Sequence, residues 1–124
     1  GISLLVGGVG VMNTMFTSVL ERTKEIGVMK AVGAKNGHVL TIFLIESGLM
    51  GLVGGIVGTL LGLGLSAVAS SFIGRFFGVE MAVVASPMLI AITLFGSFLL
   101  GAFAGLWPAR RAARLPVVDA LRYE

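Results

Sequence analysis

Three long apolar stretches dominate the pattern of hydrophobic and polar positions along this chain. They cover residues 1–20, 47–74 and 81–109, and none of them contains a charged side chain. A helix rises about 1.5 Å per residue, so roughly 20 apolar residues suffice to cross a bilayer core about 30 Å thick. The pattern therefore predicts three transmembrane helices, at about 1–20, 43–70 and 87–107.

Charged side chains gather in the connection between the first two apolar stretches. Residues 21–40 hold two of the 6 acidic and four of the 9 basic side chains, with apolar residues set among them. This pattern predicts a short helix between Glu21 and Val32. Gly33 is suited to end that helix, with Lys30 in its last turn, because glycine readily adopts a left-handed conformation.

Local signals also mark the ends of the third predicted span. Ser86 followed by Pro87 is a typical helix start, since a capping hydroxyl precedes a proline at the first helical position. Trp107 is expected at the level of the lipid headgroups, and Pro116 is expected to break the tail.

The composition excludes a water-soluble globular domain. Hydrophobic residues make up 56% of the 124 residues and charged residues only 12%, with a mean hydropathy of +1.04. A soluble domain carries about 25% charged residues, so this chain lacks the side chains to cover a globular surface. The predicted fold class is an all-α membrane protein of three transmembrane helices, with a short helix between the first and second. Because the chain begins with glycine, we expect it to be a piece of a longer protein.

The basic residues predict the orientation of the chain in the membrane. Four lie between the first and second spans, one between the second and third, and four after the third. Cytoplasmic segments carry an excess of lysine and arginine, so the first connection and the tail are expected to be cytoplasmic and the N-terminus outside. In chain order these residues are Arg22, Lys24, Lys30, Lys35, Arg75, Arg110, Arg111, Arg114 and Arg122. A net charge of +3, tied to membrane flanks, does not indicate nucleic acid as a partner.

Small residues recur at four-residue steps in the second and third spans. Residues four apart share a helix face, so each row forms a strip on which another helix backbone can approach closely. We expect these rows to pack helices together, within the chain or between two copies of it. The helix-packing candidates are Gly51, Gly54, Gly55, Gly58, Gly62, Ser97, Gly101 and Gly105.

Glu46 is an acidic residue inside the second predicted span. A charge at the centre of a span costs about 2.5–3.5 kcal/mol, and less near its edge. Three interpretations remain open: a switchable partner for a basic residue on the cytoplasmic side, a proton or cation site, or a carboxylate that is paired or reaches the interface. His38 is expected to be an interfacial polar residue, and no metal site is predicted, because it lacks a neighbouring Cys or His.

The predicted helix after the first span is amphipathic, and such a helix lies on lipid or docks into a groove of another protein. Its mixed charge favours docking, because lipid binding favours a basic polar face. The charged side of the helix is formed by Glu21, Lys24 and Glu25. The apolar side is formed by Ile26, Met29 and Val32.

Four runs of sequence resemble a known family in its own order: GGVGVMNTM, ERTKEIGVMKAVGA, FLIES and PARRAARLPVVDALRYE. They are similar to the C-terminal permease region of MacB-type ABC transporters, the FtsX-like permease family. The resemblance implies one permease domain over residues 1–124, with a cytoplasmic coupling loop over 21–40 and a cytoplasmic tail over 108–124. It also implies a fourth span and an extracytoplasmic domain in the chain before Gly1.

The resemblance implies a function as well. The chain is expected to be the permease of an inner-membrane ABC transporter that couples ATP hydrolysis to extracytoplasmic work such as efflux or lipoprotein release. The implied partners are an ABC ATPase subunit or domain carrying ATP and Mg, a second permease copy, the bilayer and an extracytoplasmic adaptor. Force is expected to pass from the coupling helix up the first span.

The same resemblance suggests roles for the residues of the coupling helix. Polar contacts with the ATPase are expected from Glu21, Arg22, Thr23 and Glu25, the docked face from Ile26, Gly27 and Met29, and the helix end from Lys30 and Gly33. The chain has no GxxxxGK[ST] motif and no catalytic pair, so it is not predicted to be an enzyme or to hold a cofactor. The alternative function is a membrane regulator of the same family, of the cell-division type, with no transported substrate.

Overall fold

The computed structural model describes residues 1–78 and 85–122 of the chain, and these residues form five helices. Three of them are long and apolar enough to cross a membrane, which confirms the predicted all-α membrane fold. The helices are α1 (Ile2–Glu21), α2 (Thr23–Ala31), α3 (Asn36–Phe77), α4 (Pro87–Ala113) and α5 (Val117–Leu121). The start of the third apolar stretch, residues 81–84, lies outside the described residues.

The second and third long helices extend beyond their predicted spans. α3 has 42 residues, about 63 Å of helix, and it begins at Asn36, well before the apolar stretch. α4 begins at Pro87 after an N-cap at Ser86, as predicted, although the serine hydroxyl makes no capping hydrogen bond. At its other end α4 continues past Trp107 and through the buried Pro108, so the predicted tail over 108–124 includes the last turns of this helix.

The end of α2 confirms the prediction made for Gly33. Gly33 has a φ of 110°, and its N–H donates to the carbonyl of Lys30 over 3.0 Å. The N–H of Ala34 donates to the carbonyl of Met29, also over 3.0 Å. These two bonds form a Schellman motif, which reverses the chain toward α3 and favours glycine at the left-handed position.

Small residues let α3 and α4 pack closely as an antiparallel pair. A Cβ built on Gly51 would lie 2.9 Å from the Cα of Gly101, and one on Gly55 would lie 2.6 Å from the Ser97 hydroxyl. A Cβ on Gly105 would collide with the buried Ser47. The two strips therefore run in opposite directions and meet backbone to backbone, as the four-residue spacing predicts.

The other row of small residues does not pack within the described part of the chain. A Cβ on Gly54, Gly58 or Gly62 would meet nothing within 4 Å. These three glycines lie on a different side of α3 from Gly51, and they are exposed. For this row, packing between two copies of the chain, the other alternative, stays a prediction.

The buried core lies at one end of the bundle, where α1, α2, α3 and α4 meet. Its residues are Met15, Val19, Ile26, Val39, Phe43, Ala109, Ala112 and Ala113. Away from this end, large apolar side chains such as Leu60 and Phe103 point outward and are 66% and 71% exposed. An apolar exterior of this kind is expected for helices whose solvent is lipid.

Candidate functional site

The candidate site lies at the core end of the bundle, around the junction between α1 and α2. A single residue, Arg22, separates the two helices, and its ψ of 13° departs from helical geometry. The hydroxyl of Thr23 donates to the carbonyls of Val19 and Leu20, each over 2.9 Å. Thr23 therefore bonds back to the last turn of α1, and it holds the start of α2 against α1.

Arg22 contacts two carboxylates on different helices. Its Nη1 lies 3.4 Å from both carboxylate oxygens of Glu46 on α3, and its Nε lies 3.6 Å from Oε2 of Glu25 on α2. The Glu46 side chain is 29% exposed and the Glu25 side chain is 70% exposed. Of the three interpretations of Glu46, the geometry favours pairing with a basic residue, because Arg22 supplies the charge that the carboxylate needs.

The pair between Arg22 and Glu46 should stabilise the chain modestly. In a double-mutant cycle of Arg22→Gln and Glu46→Gln, we expect a coupling free energy of about 0.5–1 kcal/mol, because both side chains keep access to solvent. The measurement is the free energy of unfolding in detergent for both single variants and the double variant. The matched cycle of Arg22→Gln with Glu25→Gln should give a smaller value, since Glu25 is more exposed. Strict additivity of Arg22→Gln and Glu46→Gln would show that the contact contributes nothing.

The two faces of α2 have different environments. Ile26 is fully buried and Gly27 is buried, while Met29 packs against the same core from a partly buried position. Ile26 and Gly27 therefore contact other helices of this chain, and they have no surface to offer a partner. The expected docked face of Ile26, Gly27 and Met29 is therefore revised: Ile26 and Gly27 are left out of it, because both are buried.

The outward side of α2 carries the surface that a partner can reach. The apolar side chains of Val28 and Val32 are 49% and 84% exposed. The exposed charged residues of the same segment are Glu21, Arg22, Lys24 and Glu25. This exposed set, from Glu21 to Val32, is called the α2 outer surface below. It combines apolar contact area with charges of both signs, a composition suited to a protein partner.

Lys30 ties the end of α2 to the end of α4. Its Nζ donates hydrogen bonds to the carbonyls of Ala113 and Leu115, the second over 2.8 Å. Ala113 is the last residue of α4, and Pro116 lacks the N–H that would continue the helix. Lysine near a helix C-terminus is favourable because the free carbonyls carry partial negative charge.

An aromatic cluster joins α1 to α4 at the same end. The rings of Phe16 and Trp107 stack with centroids 6.0 Å apart. The guanidinium of Arg111 lies 5.0 Å from the centroid of Phe16 and 5.8 Å from that of Trp107. A cation over aromatic faces stabilises the contact, and the position of Trp107 at the level of the lipid headgroups stays a prediction.

The remaining polar candidate, His38, has a structural role at the start of α3. Its Nδ1 accepts a hydrogen bond from the backbone N–H of Lys35 over 3.4 Å, which caps the first turn. Among the residues that the structure describes, no group of three His, Cys, Asp or Glu side chains is placed to hold a metal ion.

A sequence profile of the FtsX-like permease C-terminal family matches residues 1–117. The chain belongs to the FtsX-like permease family. It is 48% identical over its whole length to the ABC transporter permease YknZ of Bacillus subtilis, covering 30% of that protein. It is 46% identical over 99% of its length to the ABC transporter permease MJ1507 of Methanocaldococcus jannaschii, covering 31% of it.

A third relative carries a more specific name. The chain is 50% identical over 93% of its length to the macrolide export ATP-binding/permease protein MacB of Chlorobaculum tepidum, and it covers 17% of that protein. The FtsX-like permease described here thus spans less than a third of the length of each of these relatives. It is a multi-pass membrane segment of the ABC transporter permease class.

Three contacts of this FtsX-like permease were not predicted from its sequence. They are the bonds from Lys30 to the end of α4, the choice of Arg22 as the partner of Glu46, and the aromatic cluster. These three contacts join residues far apart along the chain, such as Lys30 and Ala113 at a separation of 83. Ser47 was also not predicted as a packing residue, although it extends the small-residue strip of α3 by one step of four residues.

Proposed function

We propose that this chain is the permease segment that couples ATP hydrolysis by a partner or fused ABC ATPase to work outside the membrane, such as efflux or lipoprotein release. In this proposal α2 is the coupling helix and the ATPase docks on the α2 outer surface. A second permease copy and an extracytoplasmic adaptor complete the proposed assembly.

The placement of α2 carries the proposal. Its inner side, at Ile26 and Gly27, is anchored in the core of the bundle, while Val28 and the charged residues of the α2 outer surface face outward. A helix fixed on one side and exposed on the other can receive a push from a partner and pass it to the helices on which it packs. One of the relatives is an ATP-binding/permease protein, which is consistent with an ATPase as that partner.

The distribution of basic residues supports a cytoplasmic position for α2. The contacts of Lys30 bring the basic residues of α2 and those after Trp107 to the same end of the bundle. Arg75 lies near the last turn of α3, the opposite end of that helix. By the positive-inside rule, the end that holds α2 is cytoplasmic and Gly1 lies outside.

Crosslinking from single cysteines tests the proposed docking. In the full-length protein with its ATPase, Lys24→Cys and Val28→Cys should crosslink efficiently to the ATPase, because both positions are exposed on α2. Ser71→Cys, exposed near the far end of α3, is the matched control and should not crosslink. The readout is the crosslinked band on a denaturing gel with and without nucleotide.

Two results would contradict the proposal. One is an equal yield from Ser71→Cys and Val28→Cys, which would indicate non-specific capture. The other is labelling of Lys24→Cys in intact cells by a membrane-impermeant thiol reagent, which would place α2 on the outside.

A further inference from the structure

The attachment of α2 to the rest of the bundle is not confined to its covalent link with α1. At its start, Arg22 contacts Glu46 of α3, and at its end Lys30 donates to the carbonyls of Ala113 and Leu115. The link to α1, by contrast, passes through the non-helical geometry of Arg22. Arg22 and Lys30 thus add contacts with α3 and α4 to the bonds by which Thr23 holds the start of α2 against α1.

The contact at Lys30 has the properties of a mechanical link. The lysine is partly buried, and one ammonium group bonds two carbonyls at the place where α4 ends. A charged donor makes stronger hydrogen bonds than a neutral one, and these carbonyls have no partner further along the helix. Pro116 helps to end α4 at this place, because its ring disfavours a helical conformation of the residue before it. Around this contact, Ile26 of α2 and Ala112 and Ala113 of α4 belong to the same buried core.

We propose that Lys30 is a positioning residue that makes α2 and the end of α4 move as one body, so that motion imposed on α2 enters the membrane through α4. This proposal rests on the proposed function, because it assumes that an ATPase moves α2. It differs from transmission up α1, the route that sequence continuity suggests. Since α4 packs backbone to backbone against α3 through Gly51 and Gly101, a displacement of α4 must carry α3 with it.

The first experiment measures the link without any ATPase activity. Spin labels at Val32→Cys and Arg110→Cys, both exposed, report the distance between the end of α2 and the end of α4 in the full-length protein. Lys30→Met keeps the length of the side chain but removes its donors. It should reduce the ratio of docked to undocked α2 by about tenfold or more, as expected when hydrogen bonds from a charged donor are lost.

Two further variants make this experiment specific. Lys30→Gln keeps an uncharged donor and should give a smaller loss of the docked population. Lys24→Met removes an exposed lysine from the same helix and should leave the distance distribution unchanged. An unchanged distribution in Lys30→Met, or equal broadening in Lys24→Met, would overturn the proposed link.

The second experiment asks whether the link carries motion. In the complex with its ATPase, a spin label at Phe95→Cys, exposed on α4, should change its mobility when nucleotide binds. In Lys30→Met this change should disappear, while ATP hydrolysis and the crosslink from Val28→Cys persist. Persistence of the Phe95→Cys response would overturn transmission through α4. Absence of the Val28→Cys crosslink in protein that retains Lys30 would instead refute ATPase docking on α2. The distance result from the first experiment would still stand.

Discussion

Replacement of Gly51 by alanine should destabilise this permease, although alanine is the better helix former. A Cβ at Gly51 would collide with the carbonyl of Ser97 and lie 2.9 Å from the Cα of Gly101. The obstacle is backbone, which cannot rotate away as a side chain can, so α3 and α4 must separate. Overpacking of this kind costs about 1–3 kcal/mol, and the lost backbone contact adds to the cost in a bilayer, where close packing drives helix association.

The matched control is Gly58→Ala on the same helix. A Cβ there would meet nothing within 4 Å, so only the helix propensity changes, by up to about 1 kcal/mol in favour of alanine. Thermal unfolding in detergent, followed by circular dichroism, should therefore give a lower midpoint temperature for Gly51→Ala. The midpoint temperature of Gly58→Ala should be unchanged or higher. Equal transitions for the two variants would mean that the close α3–α4 contact does not form in the protein.

These two glycines also show how far the sequence determines the packing. Steps of four residues place Gly51 with Gly55, and Gly58 with Gly54 and Gly62, in two rows of similar quality. Which row meets α4 depends on how the two helices rotate about their axes. That rotation follows from the whole set of contacts along both helices, including Ser47 and Phe98, and a spacing rule applied to one helix cannot supply it.

Local signals predicted local features well. The left-handed glycine after α2 and the serine–proline start of α4 are set by backbone conformations of neighbouring residues, and both were located correctly. Helix ends without such a signal were located less well. α3 begins at Asn36 because the polar residues before its apolar stretch join the helix, with His38 capping its first turn.

The faces of α2 could not be assigned from sequence for a different reason. Ile26 and Val28 are both β-branched and apolar, yet the first is fully buried and the second is 49% exposed. An amphipathic pattern shows that one side is apolar, and it does not show whether the chain itself or a partner covers that side. The rest of the fold decides it: Ile26 shares its buried core with Phe43 and the alanines at the end of α4, and α5 packs against α2.

Ile26→Ala should therefore affect stability, and Val28→Ala should affect the partner. Ile26 lies in a core with Met15 and Phe43, so its truncation leaves a cavity and should lower the free energy of unfolding by about 2–5 kcal/mol. Val28 is half exposed, so Val28→Ala should change that free energy by less than about 1 kcal/mol. Both variants remove side-chain carbon atoms from the same helix, so the comparison isolates burial from helix propensity.

Measurements of stability and of ATPase binding on the same two variants separate the inner side of α2 from its outer side. The free energy of unfolding in detergent should be far lower for Ile26→Ala than for the unmodified protein. For Val28→Ala it should be close to the unmodified value. Binding of the purified ATPase to the folded permease should weaken in Val28→Ala, because an apolar contact at the proposed interface is removed. If Val28→Ala instead bound normally while folded Ile26→Ala bound poorly, the partner would have to reach the inner side of α2, which requires that the helix leave the core on docking.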